Sequence, residues 1–210
     1  MKKLLSIICV SFLVVSTAKA EMTFGIGLMA GQVESSGTET EGTAADTSVR
    51  SKSFEEFFVG ADLFVEKELP NGMSVGLSYV PVDVELGSGH RTDVDGNDAA
   101  ENDDGTRSAS ADLSDLVTLY GNFPFGNNGA YGLAGVHYVT VSTSETLPNS
   151  SYGDEEIFGG LIGIGNKAGK AKIELFYSDF EDISISSTGG NNNKVEADAD
   201  ALTLRISIGF

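Results

Sequence analysis

The stretch Leu202-Thr203-Leu204-Arg205-Ile206-Ser207-Ile208-Gly209-Phe210 decides the fold class of this 210-residue chain. Large apolar residues occupy every second position, and Thr, Arg, Ser and Gly stand between them. Because successive side chains of a β-strand point to opposite faces, this alternation predicts a strand with one apolar and one polar face. The predicted apolar face consists of Leu202, Leu204, Ile206, Ile208 and Phe210.

The first 20 residues have the pattern of a secretory signal peptide. Lys2 and Lys3 give a basic start, an apolar run follows, and Ala18-Lys19-Ala20 has the small-x-small form of a cleavage site. We therefore predict that residues 1–20 are removed and that residues 21–210 form one domain. The only cysteine, Cys9, lies in the apolar run, so thiol and disulfide chemistry is excluded from the mature chain.

The mature chain is strongly acidic. Removing Lys2, Lys3 and Lys19 from the 13 Lys and Arg leaves ten, against 31 Asp and Glu, so the net charge is near −21. This balance excludes nucleic acid as a partner, because nucleic-acid binding requires basic surface. No apolar run after the signal peptide approaches the ~20 residues of a membrane helix.

Seven more segments show strand-like alternation. Three short turns and four long polar stretches alternate between the eight segments. Short turns at one end and long loops at the other predict an all-β, closed antiparallel up-and-down transmembrane β-barrel with short periplasmic turns and four long extracellular loops. An extra hairpin within 87–110 would make ten strands. The predicted strands are 22–31, 54–66, 73–86, 113–125, 130–141, 157–166, 171–185 and 195–210, and the predicted loops are 34–53, 87–110, 142–156 and 186–194.

The two faces of these segments differ in chemistry. One is almost purely apolar, and the other carries Gly, Ser, Thr and charged residues, so we expect lipid outside and a narrow wet lumen inside. The apolar alternation shifts by one residue at Pro81, which predicts a bulge.

On the fifth strand, Tyr131, Leu133, Val139 and Val141 are assigned to the lipid face. Aromatic bands are predicted at both lipid boundaries, with Phe24, Phe123, Phe125, Tyr131 and Phe210 at one and Phe54, Phe57, Tyr79, Phe158 and Tyr177 at the other.

These features resemble the small eight-stranded outer-membrane proteins of the OmpA, OmpX and opacity-protein type. The likeness covers residues 21–210 and rests on architecture and on the closing strand. It implies a monomeric barrel in the outer membrane of a Gram-negative bacterium, in contact with lipid and lipopolysaccharide. It also implies that the outer-membrane assembly machinery recognises the closing strand through Leu202, Leu204, Ile206, Ile208 and Phe210.

Five charged residues lie on the predicted inner face near the periplasmic end. Because the seventh and eighth strands are neighbours, Glu174 and Arg205 are placed to form a pair. Paired charges are tolerated in a narrow lumen, whereas unpaired charges destabilise it. A structural ion-pair plug is the favoured interpretation, and a gate that opens when partners change is the alternative. The five residues are Asp62, Glu66, Lys172, Glu174 and Arg205.

One acidic loop is a candidate metal site. Its spacing departs from the EF-hand pattern at the sixth and twelfth positions, where Asp98 and Asp104 stand. A solvated loop is therefore favoured, and no metal or other cofactor is predicted. The candidate ligands are Asp93, Asp95, Asp98, Asp103 and Asp104.

The two histidines give little support to catalysis. His90 falls in the acidic loop, and His137 has no Ser beside it in sequence to serve as a nucleophile, so no enzymatic activity is predicted. Strict alternation would turn His137 towards lipid unless the strand shifts phase.

Two classes of function follow. The first is a structural barrel that presents acidic extracellular loops to partners. The alternative is a narrow passive pore for ions or very small solutes, gated by the charge cluster. A soluble carrier would need an apolar lumen, and the inward phase of Asp62, Lys172 and Arg205 disfavours it.

Overall fold

A computed structural model of the chain describes residues 22–43, 46–93, 105–146, 150–189 and 193–210. None of these residues belongs to a helix that could cross a membrane. The predicted signal peptide, residues 1–20, lies outside them and stays a prediction. The strands are β1 (Met22–Thr43), β2 (Asp46–Glu68), β3 (Ser74–Val80), β4 (Val84–Asp93), β5 (Gly105–Pro124), β6 (Ala130–Glu145), β7 (Ser150–Ser151), β8 (Glu155–Ala168), β9 (Ala171–Phe180), β10 (Ile183–Ser186), β11 (Thr188–Gly189) and β12 (Lys194–Gly209).

Eight of these strands form the wall of a closed barrel. Their order is β1-β2-β3-β5-β6-β8-β9-β12, and β12 pairs back with β1, where Gly209 lies opposite Gly25. All pairings are antiparallel, and each wall strand pairs with the next one along the chain. The prediction of an antiparallel up-and-down barrel of eight wall strands is confirmed.

The predicted loop boundaries are wrong, because much of the polar sequence is strand. β1 and β2 stay paired as far as Thr43 and Asp46, and β4 pairs with β5 as far as Asp93 and Gly105. In these extensions both faces carry polar residues, so the two-residue hydrophobic period that marks a strand is lost. We call the end with these extensions the hairpin end and the other the turn end.

The barrel wall is incompletely hydrogen-bonded between β2 and the β3–β4 segment. β2 pairs with β3 only from Leu63 to Glu68, and the described residues 46–62 of β2 pair with β1 alone. The predicted irregularity at Pro81 is present as a break between β3 and β4, followed by a bulge between Glu85 and Gly87. We call the open edge between β2 and β4 the seam.

The inward and outward faces follow the predicted alternation on most strands. On β12 from residue 202 onward the side chains alternate between exposed apolar residues and buried polar residues or glycine, as predicted. β6 has the opposite phase to the predicted one: Tyr131, Leu133, Val139 and Val141 are buried inside, while Val136 faces outward. Apolar residues occur on both faces of β6, so periodicity could not identify its outer face. Phe54 also points inward, against the position of Gly87, and is not part of an outer aromatic band.

The prediction of a wet lumen is wrong for the hairpin-end half of the interior. An apolar cluster occupies part of this half, and its buried members are Val33, Leu86, Leu113, Val139, Val141, Ile157, Phe180, Ile183, Ile185, Ala199 and Ala201. One cause is a register shift on β5 between Ser114 and Val117, where Asp115 adopts a φ of 54°. A bulge changes which residues face inward, and this one turns Leu113 into the barrel.

Candidate functional site

The five predicted inward charges form one ion-pair layer near the turn end. Arg205 donates from Nη2 to Asp62 Oδ2 at 2.7 Å, from Nε to Asp62 Oδ1 at 3.0 Å and from Nη1 to Glu174 Oε2 at 2.6 Å. Lys172 Nζ pairs with Glu66 Oε2. All five residues are at most 7% exposed. The structure therefore brings together every residue of the predicted cluster, including the Glu174–Arg205 pair.

Neutral donors complete this layer, which has three carboxylates and only two cations. Tyr131 donates its hydroxyl to Glu174 Oε1 at 2.7 Å, and Tyr120 and Asn122 donate to Glu66 Oε2 at 3.2 Å. These bonds satisfy carboxylate lone pairs that the cations leave free. None of the three donors was predicted to belong to the charge cluster. Asn122 was assigned to the inner face and Tyr131 to the lipid face. The even-numbered alternation around Tyr120 could have placed that residue inside.

Gly27 on β1 leaves room for the Asp62–Arg205 pair to lie against the wall. A Cβ at Gly27 would lie 2.1 Å from Asp62 Oδ1 and 2.7 Å from Arg205 Nε. These distances are too short for any other residue to occupy position 27 without moving the ion pair. The side chains of the layer thus fill an interior that, in an eight-stranded barrel, is just wide enough for side chains.

His137 lies inside the barrel. Its Nδ1 lies 2.8 Å from Thr118 Oγ1, its Nε2 lies 2.9 Å from Ser178 Oγ, and its ring stacks on Phe180. The predicted phase shift is not needed, because the whole of β6 has the opposite phase. No Ser stands beside His137 in sequence, but in space β9 contributes Ser178, which sequence reasoning missed. Thr118 occupies the position where a nucleophile–base pair needs an orienting carboxylate.

A cavity of about 70 Å³ separates the ion-pair layer from the apolar cluster. Arg205, Glu174 and His137 line it together with apolar residues such as Phe58 and Val82. Val82 lies in the break between β3 and β4, and its Cγ2 would lie 3.4 Å from a Cβ at Gly60 on β2. The small cavity therefore reaches the wall at the seam.

A larger cavity of about 530 Å³, which we call the outer compartment, lies at the hairpin end. Buried apolar residues of the cluster form part of its lining, among them Leu86, Val141, Ile183 and Ile185. Cationic side chains also line it, namely Arg50, Lys52 and Arg107. Neither of these features was predicted, because the sequence analysis treated the residues around 34–53 and 87–110 as loops.

The remaining predicted site residues lie apart from the ion-pair layer. The proposed assembly signal, Leu202, Leu204, Ile206, Ile208 and Phe210, is on the outer face, with each side chain 43–67% exposed. Asp93 ends β4, whereas Asp95, Asp98, Asp103 and Asp104 lie outside the described residues. Within the described part of the chain, no group of His, Cys, Asp and Glu has an arrangement that could hold a metal ion.

Comparison with known proteins identifies the fold. No protein-family model matches the chain, and no curated protein matches it. Among solved structures, the outer-membrane protein AlkL is 11% identical, with 93% of each chain covered and a TM-score of 0.56. OprG from Pseudomonas aeruginosa is 13% identical, with 89% of this chain and 96% of that chain covered and a TM-score of 0.51.

The outer-membrane protease OmpT from Escherichia coli is also similar, at 11% identity over 93% of this chain and 99% of that chain. Its TM-score of 0.41 supports no inference about activity. The matches to AlkL and OprG agree with the closed ring of strands. The chain therefore has the fold of the small outer-membrane β-barrel proteins.

Proposed function

We propose that the mature chain is an integral outer-membrane barrel of a Gram-negative bacterium that is closed near its turn end and presents a binding compartment at the cell surface. The observation that carries this proposal is the ion-pair layer, which blocks the interior at one end, while a cavity of about 530 Å³ lies at the other. In outer-membrane barrels the short turns are periplasmic, so the outer compartment would face the exterior.

The exposed apolar face supports the membrane location. On β12, Leu202, Leu204 and Ile206 turn outward, and a water-exposed face of this kind would be unfavourable in a soluble protein. We propose that lipid and lipopolysaccharide cover this face, that the barrel is a monomer, and that the assembly machinery recognises the strand that ends at Phe210. The acidic extensions at the hairpin end would then meet partners outside the cell.

Two other functions have less support. A gated pore would require Arg205 to leave three short hydrogen bonds in a buried site, and breaking a buried ion pair costs about 3–5 kcal/mol. A nucleophile–base pair of Ser178 and His137 would require a carboxylate to orient His137, where the described structure has Thr118. We therefore propose a non-enzymatic surface role.

Single-cysteine labelling in intact Gram-negative cells tests this proposal, because the only native cysteine lies in the predicted signal peptide. Gly153→Cys lies at the hairpin end in open space, Asn127→Cys lies in the turn between β5 and β6, and Ser207→Cys is buried near the ion-pair layer. A membrane-impermeant maleimide should label position 153 in intact cells, position 127 only after the outer membrane is permeabilised, and position 207 only after unfolding. Labelling of position 127 in intact cells would overturn the proposed orientation.

A further inference from the structure

We propose that Tyr152 is a crossbar in the mouth of the outer compartment and limits the size of the ligands that reach its apolar floor. This inference rests on the proposed function, since it assigns a selection step to the surface compartment. We define the floor as the buried residues that line the compartment and belong to the apolar cluster. They are Leu86, Val141, Ile183 and Ile185.

The charges of the compartment lining do not select a ligand, because the two signs balance. Three Lys and Arg side chains and three Asp and Glu side chains line a volume of about 530 Å³, within the range of ~300–1,000 Å³ that is typical of small-molecule sites. Selection therefore depends on the apolar floor and on the shape of the path to it. The six charged residues are Arg50, Lys52, Arg107, Glu39, Glu145 and Asp198.

Tyr152 connects opposite walls of the barrel. Its backbone N–H donates to Glu145 Oε1 on β6 at 2.7 Å, and its hydroxyl donates to Glu39 Oε1 on β1 at 3.0 Å. In the ring of eight wall strands, β1 and β6 are four strands apart in either direction, so they face each other across the interior. Both carboxylates line the outer compartment. The tyrosine therefore crosses the interior of the barrel at the hairpin end.

The ring of Tyr152 also contacts the apolar interior. The residue is half-buried, packs against the apolar cluster and lines the compartment. A slender apolar molecule can pass beside a single aromatic ring, whereas a wide rigid molecule cannot pass while the ring bridges the two walls. The bridge should therefore admit narrow ligands to the floor and exclude wide ones.

The crossbar can be released without opening the barrel wall. Tyr152 follows β7, which pairs with β11 in a two-stranded sheet separate from the barrel sheet. The carbonyl of Ser151 accepts the Thr188 hydroxyl at 3.1 Å, and the carbonyl of Gly153 accepts the Thr143 hydroxyl at 3.5 Å. Single hydrogen bonds of this kind contribute modestly to stability, whereas continuous ladders join the wall strands. Loss of the bond to β1 should therefore free the ring.

Reaction of a cysteine beside the floor with two uncharged maleimides tests this inference in the mature protein in phosphatidylcholine nanodiscs. Ala111 lines the compartment and packs against the apolar cluster, deeper in the barrel than Ala109, which pairs with Glu145. Ala111→Cys should react readily with N-ethylmaleimide and much more slowly with the wider N-(1-pyrenyl)maleimide. Each rate is divided by the rate of the same reagent at Asn127→Cys, in the exposed turn between β5 and β6.

Two variants release the crossbar from β1 in different ways. Tyr152→Phe removes the donor and keeps the ring, and Glu39→Ala removes the acceptor and keeps the tyrosine. Either should raise the relative rate of the pyrenyl reagent at Ala111→Cys about two- to tenfold, the effect of one hydrogen bond, and leave that of N-ethylmaleimide unchanged. Tyr152→Ala, which also removes the ring, should raise the pyrenyl rate further.

Tyr138→Phe is the matched control, because Tyr138 lies on the outer face of β6 against Phe158. Its rates should equal those of the wild type. Equal relative rates of the two reagents at Ala111→Cys with the native crossbar, or an unchanged pyrenyl rate in Tyr152→Phe, Glu39→Ala and Tyr152→Ala, would overturn the inference. Both ends of the barrel are accessible in nanodiscs, so this result is independent of the orientation that the labelling of intact cells tests.

Discussion

Arg205 and Asp62 form a two-bond ion pair across the inner face of β1, although their strands, β12 and β2, are not neighbours in the barrel wall. The Nε–Oδ1 and Nη2–Oδ2 distances are 3.0 and 2.7 Å. β1 lies between the two strands and presents Gly27 beneath the pair. The pair thus joins the beginning of the barrel to its closing strand, and the backbone below it has no room for a side chain.

Substitution of Gly27 by Ala should destabilise the barrel. The added methyl group would lie 2.1 Å from Asp62 Oδ1, so the ion pair or β1 must shift. Overpacking of this kind typically costs about 1–3 kcal/mol. The free energy of unfolding in lipid vesicles, measured by urea titration, should fall by that amount.

Gly37→Ala is the matched control on the same strand. Its Cβ would make ordinary contacts, 3.4 Å from the Ala197 Cβ and 3.7 Å from the Glu196 carbonyl oxygen. The two variants should therefore differ clearly in stability. Equal unfolding free energies for Gly27→Ala and Gly37→Ala would show that the ion pair does not depend on the close approach at position 27.

Substitution of Arg205 by Ala should be more damaging. It leaves Asp62 and Glu174 buried without their shared cation, and removing one partner of a buried pair costs about 3–5 kcal/mol. Lys194→Ala removes an exposed cation from the same strand, and surface pairs contribute about 0–1 kcal/mol. An unfolding midpoint for Arg205→Ala equal to that of Lys194→Ala would refute a stabilising role for the ion-pair layer.

Asp112 gives a prediction about pH. It lies on β5 on the hairpin-end side of the bulge at Asp115, and burial, followed by the nearby carboxylates of Glu85 and Asp83, raises its pKa above the usual 3.8. The folded state therefore holds this proton more tightly than the unfolded state does. The free energy of unfolding therefore falls as pH rises from the pKa of Asp112 in the unfolded state through its raised pKa in the folded state. The ionised Asp112 is thus destabilising near neutral pH.

Asp112→Asn should accordingly raise the urea midpoint at about pH 7 and have little effect at about pH 3, where both states are protonated. Asp154→Asn, at an exposed position before β8, is the control and should change neither value. If Asp112→Asn changed the urea midpoint equally at both pH values, the charge of the Asp112 carboxylate would not be the cause of the change.

The sequence was sufficient to predict the barrel and its ion-pair layer. Each of Asp62, Glu174 and Arg205 stands between two apolar residues of its strand, β2, β9 or β12, so these charges could be placed inside. These charges could also be placed near the turn end, because the short turns in the sequence mark that end of the barrel. The pairing of Arg205 with Asp62 could not be predicted, because it crosses β1 and depends on the curvature of the wall.

The apolar half of the interior could not be predicted for a different reason. β6 is apolar on both faces, so the inward phase of Leu133 and Val141 has no signature in the sequence. The register shift at Asp115 reverses the phase of β5 without a proline or glycine to mark it. The outer compartment depends on polar strand extensions, where the hydrophobic period gives no guidance.

The most direct test of the account is the conductance of the folded mature protein in a planar lipid bilayer. The ion-pair layer fills the interior near the turn end, so the wild type should give no discrete openings. Glu174→Gln should also be silent, because Asp62 still holds Arg205 through two hydrogen bonds. Reproducible discrete openings of the wild type, altered by Glu174→Gln, would contradict the closed barrel and identify the layer as the gate of a narrow pore.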